Sequence, residues 1–259
     1  MNEASSQGVS SLIGGPAPTA SAIELYNRPS ADYAAKVQAT IALLKAAAFE
    51  HPGKVVQATS LGVEDMIVTD LIARHQLPIA IGTLETGMLN PETASLIGTI
   101  ETHYADVGLH VEVYRPVQET VVEFVHKNGE KAMYDSIELR KACCGIRKLE
   151  PLGRMLAERS AWITGLRREQ SNNRGDMAAR EVDDKGRAKF NPMIDWTWGD
   201  VWHYVKAFNV PYNPLHDQFM PSIGCAPCTR AIAVGEDFRA GRWWWEDEKA
   251  KECGLHVHK

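Results

Sequence analysis

Cysteine is scarce here: five residues in 259, an odd number. An odd count closes no disulfide framework and leaves metal binding or thiol chemistry as the use of these side chains. Long apolar runs are missing too. Stretches such as Ile41-Ala42-Leu43-Leu44 fall far short of the ~20 residues that span a bilayer. No basic segment followed by an apolar core opens the chain. Residues 1–22 are instead rich in Ser, Gly, Ala and Pro and read as a disordered lead-in, drawn out to residue 28 in the domain division. The expected setting is the cytoplasm, where thiols stay reduced. Excess positive charge is absent, since the net charge is −5, which disfavours bulk binding to nucleic acid.

What is present is an ordinary globular composition, 44% hydrophobic and 24% charged, in a length suited to one α/β domain. Charge is unevenly spread. Between Leu139 and Arg180 ten Lys/Arg face four Asp/Glu, and a focused positive site in an acidic body suits a small anion. Residues 31–50 read as a helix, with Val37, Ile41 and Leu44 at helical spacing. Residues 54–59, 78–83, 109–114 and 161–164 read as strands. Helices are expected up to His75, from Pro91, over 117–127 and over 144–159. Strands alternating with helices of this length predict an open, mainly parallel sheet with helices on both faces. Residues 171–187 are expected to be a loop, and the Pro-rich chain beyond Asn209 a loop-rich segment wrapping the site. The domain division is then 1–28, 29–240 and a mobile tail over 241–259.

Ligands of such sheets bind beyond the carboxyl ends of the strands. Ser60-Leu61-Gly62-Val63-Glu64-Asp65 leaves the first strand, so its N–H groups and the Ser60 hydroxyl are candidates to receive phosphate or sulfate. Thr86 and Gly87 leave the second and can turn toward a base or ribose. Gly165-Leu166-Arg167-Arg168 leaves the fourth, with Arg174 nearby, and guanidinium forks grip such anions. The cysteines carry a stronger signal. Cys143-Cys144 and Cys225-Ala-Pro-Cys228 supply four soft ligands, which select zinc or iron–sulfur centres. Adjacent cysteines point apart and suit two irons of a 4Fe–4S cube better than a single zinc. Cys253 stands alone beside Lys251 and His256, and positive neighbours favour its thiolate. Three consecutive tryptophans, Trp243-Trp244-Trp245, cannot all face one core.

Together, Cys143-Cys144-Gly145-Ile146-Arg147-Lys148, Gly224-Cys225-Ala226-Pro227-Cys228-Thr229-Arg230, Gly241-Arg242-Trp243-Trp244-Trp245-Glu246 and Lys251-Glu252-Cys253-Gly254-Leu255-His256 resemble the assimilatory adenylyl-sulfate (APS) reductase family, relatives of PAPS reductase. The resemblance runs from about Lys54 to His256. It implies an adenine-nucleotide alpha-hydrolase-like fold, with one 4Fe–4S cluster per subunit on Cys143, Cys144, Cys225 and Cys228. It further implies Cys253 as nucleophile and substrate contacts from Ser60, Lys148, Gly165, Arg174, Arg239 and Arg242. APS would be the substrate and thioredoxin, or a similar dithiol protein, the reductant, with the oligomeric state left open. Segment 60–65 resembles the family's modified phosphate loop, lacking the second glycine of ATP pyrophosphatases. The rival readings are a PAPS reductase, an ATP-dependent adenylating or thiolating enzyme on the same fold, and a zinc-stabilised or redox-sensing binding protein.

Overall fold

The computed structural model describes residues 20–170 and 177–246. Helix α1 (Ala22–Tyr26) starts at a capping box, Ser21 and Glu24 bonding reciprocally, and the Ala22 N–H donates to Asp217 Oδ1 at 2.7 Å. Part of the expected lead-in is therefore built into the fold. Helix α2 (Tyr33–Glu50) buries Leu44, Ala47 and Ala48. Then follow β1 (Val55–Thr59), α3 (Val63–Arg74), β2 (Ala80–Leu84), α4 (Pro91–His103), β3 (Val111–Tyr114) and α5 (Gln118–Asn128). Pro91 sits in the first turn of α4, where its missing N–H costs nothing.

Helix α6 (Ile137–Cys144) runs through a π-helical turn (Gly145–Leu149) into α7 (Glu150–Met155). The sequence reading expects one helix over 144–159. Pro151 cannot donate to the carbonyl four residues back, and the wider π turn absorbs that missing bond just after the cysteine pair. After β4 (Ala161–Ile163) the chain forms β5 (Arg180–Val182), β6 (Ala188–Phe190) and α8 (Trp198–Phe208). Strand β5 lies within the expected loop, and residues 188–208 carry no expected element. The start of α8 is nonetheless signalled by a capping box between Thr197 and Asp200.

The six strands lie in the order β3-β2-β1-β4-β6-β5, all parallel but β5. Adjacent residues of β1 face opposite sides: Val55 joins the larger core with α2, α3, α4 and α8, and Val56 packs with Met155 and Trp162 beneath α7. Helix α3 is buried along nearly its whole length, and its polar residues Glu64, Asp65, Thr69 and Asp70 are buried with it. Successive strands run outward from β1 to β3, then the chain returns to place β4 on the other side of β1. The carboxyl ends of β1 and β4 are thus neighbours at the point where strand order reverses, which is where open α/β sheets bind ligands. No helix among the described residues is long and apolar enough to cross a membrane.

Candidate active site

A cavity of about 200 Å³ opens at these two strand ends. Ser60, Asp65 and Gly165 line it from the sheet, and Lys148, Arg239 and Arg242 from the π turn and the C-terminal segment. The sheet side is acidic and already self-bonded. Asp65 Oδ2 accepts from both the N–H and the hydroxyl of Ser60 at 2.7 Å. The Leu61 N–H donates to Thr59 Oγ1 at 3.0 Å and the Val63 N–H to His216 Nε2 at 3.3 Å. The Ser60, Leu61 and Val63 N–H groups of this turn are thus bonded within the protein. Ser60 still offers its hydroxyl lone pairs, which suit a ligand N–H or hydroxyl. Gly165 is required where it is: an added Cβ would lie 2.5 Å from Asp65 Oδ1 and 2.9 Å from the Asp65 backbone N. Gly165→Ala is expected to lower stability by about 2 kcal/mol, read as a shift in urea midpoint.

Two buried groups here titrate in opposite senses. Burial, with Glu64 adding to it, pushes the Asp65 carboxyl up to about 6 against its Ser60 hydrogen bonds. Burial holds the His216 imidazole down to about 4, so it caps α3 in its neutral form. The folded state binds the Asp65 proton more tightly than the unfolded chain, so this group's contribution to stability falls as pH rises from about 4 to 6. His216 does the reverse, because the unfolded chain takes up its proton first as pH falls from about 6.5 to 4. Relative to the parent, Asp65→Asn is expected to lose more stability on acidification from pH 7 to about 4.5, and His216→Asn less. Urea midpoints that stay parallel across pH for all three proteins would refute this.

Arg167 and Arg168, read from the sequence as anion grips, are bonded within the fold. Arg167, 1% exposed, donates from Nε to Glu64 Oε1 at 2.9 Å and from Nη1 to Glu169 Oε2 at 3.0 Å. Arg168 pairs with Asp195. Each charge is matched locally, and a matched guanidinium has little left for a ligand.

Helix α6 delivers Cys143 and Cys144, and a short turn (Ala226–Cys228) delivers Cys225 and Cys228; all four are buried free thiols. An isolated bridge between Leu89 and Cys225, with the Ala226 N–H donating to Met88 O at 2.7 Å, pins that turn to the chain after β2. The four cysteines border one hollow of about 10 Å³ together with Arg147 and Lys148. Burial pushes the Cys143 thiol up, against the pull of Arg147 and Lys148. It pushes Cys228 up to about 11, with Cys225 adding and Lys148 and Arg242 opposing. The Thr86 hydroxyl lies 3.3 Å from Cys225 Sγ and accepts from the Met88 N–H at 3.2 Å. Arg147 Nη1 donates to Thr86 O at 2.7 Å, and Gly87 at φ +70° leaves it room. Among the described residues no three His, Cys, Asp or Glu side chains converge on one ion-sized point.

The C-terminal segment closes the site. Arg242 is 7% exposed, and it donates from Nη1 to Ile223 O at 3.0 Å and from Nε to Cys228 O at 3.2 Å. A Cβ on Gly224 would overlap its guanidinium. Glu246 is held by Arg140, whose Nε and Nη2 donate to the two carboxylate oxygens at 2.8 and 2.6 Å. Trp243 is buried, and Trp244 is 39% exposed.

Residues 54–231 match the phosphoadenosine phosphosulfate reductase domain. The chain belongs to that family. Family relatives are strongly similar in sequence: the adenosine 5'-phosphosulfate reductase of Allochromatium vinosum is 55% identical over 203 residues, 78% of each chain. That of Burkholderia cepacia is 51% identical over 227 residues, covering 87% of this chain and 89% of its own. Among solved structures, the phosphoadenylyl-sulfate reductase of Candida auris in a phosphate complex matches with a TM-score of 0.60 at 25% identity, over 72% of this chain and 88% of that one. An NH3-dependent NAD synthetase from Campylobacter jejuni shares the fold alone, with a TM-score of 0.50 at 15% identity over 70% of this chain and 75% of that one.

Within this family member, Ser60, Lys148, Gly165, Arg239 and Arg242 meet at one cavity, and the four cysteines meet at the adjoining hollow. Lys148 and Cys225 border both. Arg174 and Cys253 lie outside the described residues. Sequence reasoning did not single out Arg140, Arg147, Asp65 or His216 as individual site residues. Arg147 lies in the motif with the cysteine pair, and that adjacency was its available signal; a lone His216 between prolines carried none.

Proposed function

We propose that the protein is an adenylyl-sulfate reductase. The observation that carries this is the junction, through Lys148, of a cavity lined by Lys148, Arg239 and Arg242 with a buried quartet of thiols. The similarity to named adenosine 5'-phosphosulfate reductases supports it.

The four cysteines fit a 4Fe–4S cluster. Burial raises the Cys143 and Cys228 thiols, a state metal ligation would relieve, and four ligating thiolates bring negative charge that Arg147, Lys148 and Arg242 stand ready to offset. The four sulfurs border one hollow, and the adjacent Cys143-Cys144 pair suits two irons of a cube better than one tetrahedral zinc. When bound, the cluster supplies charge and rigidity beside Lys148. Lys148, Arg239 and Arg242 hold the phosphosulfate group, and Ser60 accepts from the nucleoside part.

Cys253 thiolate attacks the APS sulfur. The bond from sulfur to the bridging oxygen breaks, AMP leaves, and Cys253 becomes a thiosulfonate. Negative charge grows on the leaving phosphate oxygen, where fixed cations count most. A thioredoxin-like dithiol then attacks the Cys253 sulfur, sulfite departs with the bonding pair, and the second thiol resolves the mixed disulfide, restoring Cys253. Cys253 follows Glu246 by seven residues, a reach of at most about 25 Å of extended chain from the Arg140–Glu246 pair.

An anaerobic assay for sulfite from APS with a dithiol protein, with iron and sulfide measured on the same sample, tests the reading. Sulfite formation together with about four irons per chain is the expected result. AMP and pyrophosphate from ATP without any thiol donor would overturn it in favour of an adenylating enzyme. Faster turnover of PAPS than of APS would move it to the sister activity.

A further inference from the structure

The indole of Trp243 belongs to both halves of the site. It packs with Cys143, Cys225 and Cys228 in one buried cluster, and it lines the cavity beside Arg239 and Arg242. The guanidinium carbons of Arg140 and Arg242 each lie 4.7 Å from its ring centroid, and that of Arg239 lies 5.8 Å away. Glu246 matches the Arg140 charge, and the ring's negative face attracts the guanidinium groups of Arg239 and Arg242 most strongly where water is excluded. Trp243 is 1% exposed.

Its backbone is held where a bulky residue seldom goes, at φ +40°. The Trp243 N–H donates to Cys228 O at 3.4 Å, and the Glu246 N–H donates to Trp243 O at 2.9 Å. The ring nitrogen does not account for this placement, since Nε1 has no hydrogen-bond partner among the described residues. What the side chain offers its neighbours is an aromatic face.

We propose that Trp243 is a positioning residue whose ring face aligns Arg239 and Arg242 on the anion in the cavity and ties their placement to the cysteine centre. Arginine side chains carry large rotamer entropy, and a fixed plate beside the cavity removes that cost before the ligand arrives. The inference rests on reading the cavity as a nucleotide-anion site.

AMP and adenosine differ only by the phosphate, so the ratio of their affinities isolates the arginines from the shape of the pocket. Titration calorimetry on the full chain, with iron and sulfide measured on each sample, gives that ratio. The parent is expected to bind AMP more tightly than adenosine. Trp243→Phe should narrow the ratio about threefold and Trp243→Leu about tenfold, with adenosine affinity unchanged in both. An unchanged ratio in both variants, or equal weakening of both ligands, overturns the proposal. Should the Leu variant lose its metal or its fold, the Phe variant decides alone, and an unchanged ratio there is refuting. A parent protein that does not distinguish AMP from adenosine sinks the reading of the cavity itself, a failure separate from that of the variants.

Discussion

Cys253→Ser is expected to abolish sulfite release from APS, a loss of at least about a thousandfold, while the visible colour of the metal centre is retained. In the proposed mechanism the thiolate attacks, and lysine and histidine beside a thiol raise the thiolate population near neutral pH. A serine hydroxyl at the same place stays protonated and has no base assigned to it, so it cannot replace the sulfur as nucleophile. The other four cysteines are buried around one hollow, so on the proposed reading this substitution removes no metal ligand. In the parent protein, one sulfonate should appear on the C-terminal peptide after mixing with APS alone, read by mass spectrometry. Sulfite turnover that survives in Cys253→Ser would remove the nucleophile assignment and leave the cavity reading standing.

The second large effect is expected at Arg242. Its guanidinium is fixed by the carbonyls of Ile223 and Cys228 and by the Trp243 ring, so little reorganisation is needed as charge develops on the leaving oxygen. Arg242→Ala should lower kcat by about a hundredfold or more, the range found when one preorganised charge stabiliser is removed. Arg242→Lys should recover little, because an ammonium cannot span two carbonyls and lie flat on a ring. Lys148→Ala is expected to behave similarly, and the double variant should cost less than the product of the two, since both act on one developing charge. An Arg242→Ala enzyme with raised KM and unchanged kcat would show that the arginine binds substrate uniformly and does not favour the transition state.

Much of the sheet was legible because buried parallel strands are short apolar runs between helices, and β1 to β4 lie where those runs occur. Strands β5 and β6 were not legible. β5 pairs antiparallel at the sheet edge and is largely exposed and polar, while β6 is three residues long with a lysine at its centre, so no apolar run marks either. Helix α8 had a capping signal at Thr197 and Asp200, which a reading of hydrophobic periodicity alone passes over. The four buried cysteines were recognisable as one group because few other residue types offer soft ligands in such spacing. Ser60 lines the cavity, and its N–H, a candidate anion donor in the sequence, bonds Asp65 five residues on, a pairing no strand–turn pattern reveals.

By itself the sequence determined the donor chemistry: which sulfurs exist, how they pair along the chain, and that a local surplus of cations accompanies them. Only the tertiary structure decided which cations remain for a ligand. Arg167 and Glu64 stand 103 residues apart in sequence yet neutralise each other at 2.9 Å, whereas Arg242 is turned onto backbone carbonyls and an indole face at the cavity. The physical reason is that a charge's availability depends on the distance to its nearest opposite charge. Chain folding, not residue type, sets that distance.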